Sequence, residues 1–74
     1  MDMTKPTILI VEDEPEVLNI NARMLKRHGY RVLTADSVQE SNARLKEAVP
    51  DLLILDIMLP DGSGYDVCEE FRRI

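Results

Sequence analysis

The sequence predicts an α/β fold in which a parallel sheet carries helices on its faces. Three observations lead there. Two short, continuous apolar runs, Ile8-Leu9-Ile10-Val11 and Leu52-Leu53-Ile54-Leu55, have the make-up of strands buried on both faces. Segments with helical periodicity alternate with strand-like ones in the order β-α-β-α-β-α. The connections are too short to divide the 74 residues into separate domains, and the crossovers between parallel strands are expected to be right-handed.

The first strand covers Thr7 to Val11. Asp13 or Glu14 is expected to cap the helix that follows, and Pro15 suits its first position, where the missing N–H would be unpaired anyway. From Glu16 to His28 the apolar residues Val17, Leu18, Met24 and Leu25 share one face, and Gly29 supplies a left-handed stop. Tyr30 to Ala35, with Val32 and Leu33, reads as the second strand. Ser37-Val38-Gln39-Glu40 has the capping-box pattern and opens a second helix through about Ala48, although Ser41 and Asn42 dilute its apolar stripe. Val49-Pro50-Asp51 ends that helix, and Leu52 to Asp56 forms the third strand. Met58 to Ser63 is predicted to be a loop. Ser63 then caps a third helix with Val67, Cys68, Phe71 and Ile74 on one side.

Composition narrows the function classes. Charged residues make up 31% of the chain and apolar ones 45%, as in a globular protein, and at this length only about 60% of the unfolded surface is removed from water. A net charge of -5 argues against non-specific nucleic-acid binding, so no direct nucleic-acid contact is expected from this segment. The single cysteine, Cys68, has no partner for an internal disulfide and no companion ligands for zinc; it reads as a small core hydrophobe in a reducing, cytoplasmic setting. Met1 to Pro6 holds no long apolar stretch, and no run approaches the roughly 20 residues that span a bilayer, so neither an export signal nor a membrane anchor is expected. His28, the only histidine, falls at a helix C-terminus, where a cation is favoured. Lys26, Arg27 and Arg31 read as solvated surface more readily than as a docking patch.

Both apolar runs stop on acid, the first on Glu12-Asp13-Glu14 and the second on Asp56. In open parallel sheets, ligands sit beyond the carboxyl ends of strands where the strand order reverses. With order 2-1-3 the first and third strands are neighbours, and Glu12, Asp13 and Asp56 converge. Like charges that close repel, which is costly unless a divalent cation or a chemical task compensates. Mg²⁺ takes oxygen ligands in an octahedron; Asp13, Asp56 and the backbone carbonyl of Met58 can provide them, with Glu12 acting directly or through water. The chemistry favoured is phosphoryl transfer to a carboxylate, with Asp56 the natural acceptor and the metal neutralising the incoming charge. One acid after a strand is ordinarily a helix cap or a solvated turn. Three at a single switch point argue for a site.

At this point the chain closely resembles the receiver domain of bacterial two-component response regulators. The resemblance is carried by Ile8-Leu9-Ile10-Val11-Glu12-Asp13-Glu14-Pro15, by Gly29-Tyr30, by Pro50-Asp51-Leu52-Leu53-Ile54-Leu55-Asp56-Ile57-Met58-Leu59-Pro60 and by Asp61-Gly62-Ser63-Gly64. It implies a flavodoxin-like receiver fold with parallel sheet order 2-1-3, Asp56 as the phosphoaccepting aspartate, Glu12 and Asp13 as the acidic pair, and Met58 as the residue whose carbonyl ligates Mg²⁺. The implied partner is a sensor histidine kinase. Receivers have five βα units, and this sequence matches the first three. The family's phosphate-contacting Ser or Thr and its Lys have no counterpart here. Residues 1–74 are therefore expected to be the N-terminal part of a single receiver domain, and self-association through the third strand is expected if its outer edge is uncovered.

Two other readings stand beside this one. The chain is a non-phosphorylated interaction or dimerisation module that keeps only the acidic half-site, or it is one lobe of a metal-dependent phosphohydrolase. Against the latter, aspartyl-phosphate hydrolases of that kind carry a second acid two residues after the first, where Met58 stands. On the preferred reading the domain takes part in phosphotransfer without being primarily a turnover enzyme.

Overall fold

The computed structural model describes residues 5–74; residues 1–4 of the opening segment lie outside the described residues. Eight elements follow one another: β1 (Thr7–Val11), α1 (Pro15–Arg27), β2 (Arg31–Ala35), α2 (Val38–Glu47), β3 (Leu52–Leu55), β4 (Met58–Leu59), β5 (Gly62–Ser63) and α3 (Gly64–Arg72). The three long strands form a parallel sheet in the order β2-β1-β3, the order the family resemblance implies. Its register sets Val11 against both Ala35 and Leu55, so the carboxyl ends of all three strands are level.

Alternation along β1 divides the interior in two. Leu9 and Val11 point to one side and join Ala35, Leu45, Leu59 and Val67 in the larger cluster, beneath α2 and α3. Ile8 and Ile10 point to the other side and pack with Ala22, Leu18 and Leu25 of α1. Only β1 is buried on both faces. Because α1 lies mainly over β2 and β1, the α1 side of β3 is open, and Leu52 and Ile54 remain 52% and 37% exposed. The expectation of two fully buried strands thus holds for the first run and fails for the second. The single apolar face expected for α1 is likewise split: Leu18 and Leu25 pack inward, while Val17 and Met24 join Ile20 on the exposed side.

The helix ends follow local chemistry with some substitutions of partner. Pro15 opens α1, but neither Asp13 nor Glu14 caps it with a side chain; the Glu14 N–H instead donates to Glu12 Oε2 at 3.2 Å. Gly29 takes φ +91 and ends the turn after α1, a region open to glycine at no steric cost. At α2, Ser37 Oγ accepts from the Glu40 N–H at 3.0 Å, while the Glu40 carboxylate accepts from the Asp36 N–H at 3.0 Å, one residue earlier than a capping box requires. In α3 the Asp66 carboxylate accepts from the Ser63 N–H at 3.0 Å. Ile74 lies beyond that helix and is exposed, so it is not part of the packed side. Residues 58–63, expected as a loop, form an antiparallel hairpin in which Met58 opposes Ser63 and Leu59 opposes Gly62. No helix among the described residues is long and apolar enough to cross a membrane.

Ser41, on α2, is fully buried, and its hydroxyl has no hydrogen-bond partner among the described residues. An unsatisfied buried hydroxyl costs on the order of 1 kcal/mol or more. Ser41→Ala is accordingly expected to raise stability by about 1 kcal/mol, seen as a higher urea midpoint at unchanged m-value; a loss of stability would contradict this account of α2 packing.

Candidate functional site

The site begins as an extension of the sheet. One residue past the end of β1, the Glu12 N–H donates to the Ala35 carbonyl at 3.0 Å, and one residue past β3, the Asp56 N–H donates to the Val11 carbonyl at 2.9 Å. These two bonds carry the parallel ladders just far enough to set the acids side by side. Glu12, Asp13 and Asp56 each offer one carboxylate oxygen, and the three atoms lie within 4.8 Å of one another. Glu12 and Asp56 are half-buried and Asp13 is exposed.

Among the described residues, no ion pair reaches this cluster. The two ion pairs among the described residues, Arg44–Glu47 and Arg73–Glu70, lie elsewhere. Burial raises the Glu12 carboxyl above the usual glutamate range, opposed by its bond from the Glu14 N–H and reinforced by the neighbouring charge of Asp56. A hard divalent cation suits the donor set: oxygens around one Mg²⁺ at about 2.1 Å sit roughly 3–4 Å apart, close to the spread observed here.

The backbone after Asp56 is shaped by two features outside the acidic motif. Gly64 opens α3 with its N–H donating to the Ile57 carbonyl at 2.9 Å. A Cβ at Gly64 would stand 2.5 Å from the Asp56 carbonyl oxygen, so only glycine lets α3 begin this close to Asp56. Sequence reasoning quoted Gly64 only within a longer motif; a small residue soon after a strand-end acid was the available signal. Met58 begins the hairpin two residues after Asp56, with its side chain 79% exposed, so its side chain takes no part in the interior. His28 lies at the opposite end of α1, its Nδ1 2.8 Å from the Met24 carbonyl. There it lines an open depression with Ile20, Arg23, Met24, Lys26 and Arg27. None of those lining residues is a carboxylate, cysteine or serine.

Because its folded-state pKa is raised, Glu12 favours folding most when protonated and loses that contribution as pH rises through its titration. In metal-free buffer, Glu12→Gln is expected to melt higher than the wild type at neutral and alkaline pH and to converge with it only below the ordinary glutamate value of 4.5. Added Mg²⁺ should raise the wild-type Tm more at the higher pH. Calorimetry in EDTA and in Mg²⁺ tests both statements.

Residues 8–74 match the family described as the response regulator receiver domain. Among curated relatives, the transcriptional regulatory protein AfsQ1 of Streptomyces coelicolor is 40% identical over 68 residues, covering 92% of this chain and 30% of its own length. The alkaline phosphatase synthesis transcriptional regulatory protein PhoP of Bacillus subtilis is 38% identical over 66 residues, covering 89% of this chain and 28% of its own length. The chain thus spans less than a third of these relatives. Among solved structures, the non-phosphorylated HemR receiver domain of Leptospira biflexa superposes with TM-score 0.86 at 35% identity, covering 93% of this chain and 56% of that one. The response regulator TrrA of Thermotoga maritima, solved in complex with Mg²⁺ and BeF, gives TM-score 0.83 at 35% identity, covering 92% and 59%. Fold, acidic cluster and these likenesses agree: the chain belongs to the receiver domain family of two-component response regulators.

Proposed function

We propose that residues 1–74 are the N-terminal part of a single receiver domain that accepts a phosphoryl group on Asp56 from a sensor histidine kinase, in the cytoplasm and with Mg²⁺ bound. The observation that carries this reading is the convergence of the Glu12, Asp13 and Asp56 carboxylates within 4.8 Å of one another at the carboxyl ends of β1 and β3. Asp13, Asp56 and the Met58 carbonyl would ligate the ion, with Glu12 binding directly or through a water. Bound there, Mg²⁺ supplies positive charge against the phosphoryl oxygens.

The chain's own residues do the rest. One Asp56 carboxylate oxygen attacks phosphorus; the bond from phosphorus to the donor breaks as the new P–O bond forms, giving an acyl phosphate and releasing the donor group with its electron pair. The Val11 carbonyl fixes the Asp56 backbone, and the packing of Gly64 against the Asp56 carbonyl holds the following turn. Such a domain is a switch component and not a turnover enzyme, and no nucleic-acid contact or membrane attachment is assigned to this segment.

Incubation with acetyl phosphate and Mg²⁺ followed by intact-mass measurement is expected to give an adduct about 80 Da heavier, absent in Asp56→Asn and in EDTA. Metal binding without an adduct would favour an interaction module that keeps the acidic half-site, and steady phosphate release would favour a hydrolase. Mg²⁺ affinity unchanged in Asp13→Ala would refute the ligand assignment.

A second reading concerns the edge of the sheet. Among the described residues β3 pairs on one side only, and its α1-facing residues Leu52 and Ile54 are exposed. We propose that a second copy of the chain pairs there antiparallel about Leu53, a symmetric register that sets Leu52 against Ile54. A dimer by light scattering at tens of micromolar, converted to monomer by Ile54→Lys, is the expected result. A monodisperse monomer would rule the pairing out.

A further inference from the structure

Asp61 lies outside the acidic cluster, yet it makes two bonds to a distant helix. Its Oδ1 accepts from the Val38 N–H at 2.7 Å and its Oδ2 from the Gln39 N–H at 2.9 Å. Val38 and Gln39 are the first two residues of α2, and their N–H groups have no partner within that helix. A residue from the hairpin therefore completes the cap that Ser37 begins with its bond to the Glu40 N–H. The bonds hold the Asp61 carboxyl below the usual aspartate range.

Three neighbouring contacts make this a fixed mount. Leu59, two residues earlier, is buried in the larger cluster with Leu45 of α2 and Val67 of α3. Gly62, the next residue, fits so tightly that a Cβ there would meet Val38 Cγ2 at 2.9 Å and Asp66 Oδ2 at 2.8 Å. At the near end, the Gly64 N–H donates to the Ile57 carbonyl at 2.9 Å. The segment leaving Asp56 is thus clamped between α2 and α3, and Met58 lies inside the clamped stretch.

We propose that Asp61 is a positioning residue for the metal site: by fastening the hairpin to the first turn of α2, it holds the Met58 carbonyl in line with the Asp13 and Asp56 carboxylates. The inference rests on the phosphoacceptor reading above and deepens it. Its physical basis is that a group holding a metal ligand in place changes affinity without touching the ion. It also ties the Val38 and Gln39 N–H groups of α2 to the hairpin that carries Met58, although no α2 residue belongs to the acidic cluster.

The test compares Asp61→Ala, Asp61→Asn and Ser37→Ala in the 74-residue chain. Ser37→Ala removes a capping bond from the same end of α2 but leaves the hairpin anchored. Titration calorimetry with Mg²⁺ is expected to show about tenfold weaker binding in Asp61→Ala. Asp61→Asn, which keeps one acceptor oxygen, should recover part of it, and Ser37→Ala should bind like the wild type despite a lower Tm. Amide exchange across residues 57–63 should quicken in Asp61→Ala alone. Wild-type affinity in Asp61→Ala, or equal weakening in Ser37→Ala, would overturn the proposal. A wild type that takes up no Mg²⁺ would instead overturn the metal-site reading; unchanged exchange in Asp61→Ala would still refute the anchor by itself.

Discussion

The pairing of β1 with a parallel neighbour on each side is the constraint on which the rest of this structure depends. Parallel ladders run strand ends in the same direction, and the register here brings Val11, Ala35 and Leu55 level. Whatever residue follows each strand must therefore meet its neighbours at one rim. When those residues are Glu12, Asp13 and Asp56, backbone hydrogen bonding holds together charges that would otherwise separate. The site is electrostatically unfavourable by itself, and the sheet supplies the force that keeps it assembled.

That division of labour explains what could be read from the amino-acid sequence. The order of the main strands and helices and the acids at the strand ends were legible, because each depends on a pattern of the chain itself: apolar runs ending in acid, Pro15 at a helix start, Gly29 at a helix end; the 2-1-3 order that brings those acids together came from the family resemblance. What escaped were properties set by distant partners. The open side of β3 is invisible in Leu52-Leu53-Ile54-Leu55, since continuous apolarity says nothing about which helix covers which face. The spacing of Val17, Leu18, Met24 and Leu25 is uninformative for the same reason: it defines one broad apolar arc, and α1 turns only the Leu18 and Leu25 part of it inward. The hairpin at 58–63 was missed because Pro60 and Asp61 mark a turn clearly, whereas the two-residue strands beside it are too short to leave a periodic trace.

Capping shows the same limit more sharply. Ser37 and Glu40 announce a helix start by their spacing, and Ser37 does cap α2. Yet two of the first N–H groups of that helix are satisfied by Asp61, more than twenty residues away in sequence. Local patterns show that a helix begins; they do not show which other part of the chain is fastened to that beginning. In a chain of this size, where burial alone stabilises little, such cross-links between secondary structure and site carry a large share of the order.

Gly29 closes the account from a different direction. Its φ is +91, yet a Cβ built there would meet nothing within 4 Å. The position discriminates by handedness and not by volume. A mirror-image alanine would therefore be welcome where its natural enantiomer is strained, and it would stiffen the unfolded chain at the bend between α1 and β2. At 74 residues the polypeptide is short enough to be made by chemical ligation, so one inverted stereocentre offers a way to strengthen the scaffold while leaving every charged group in place.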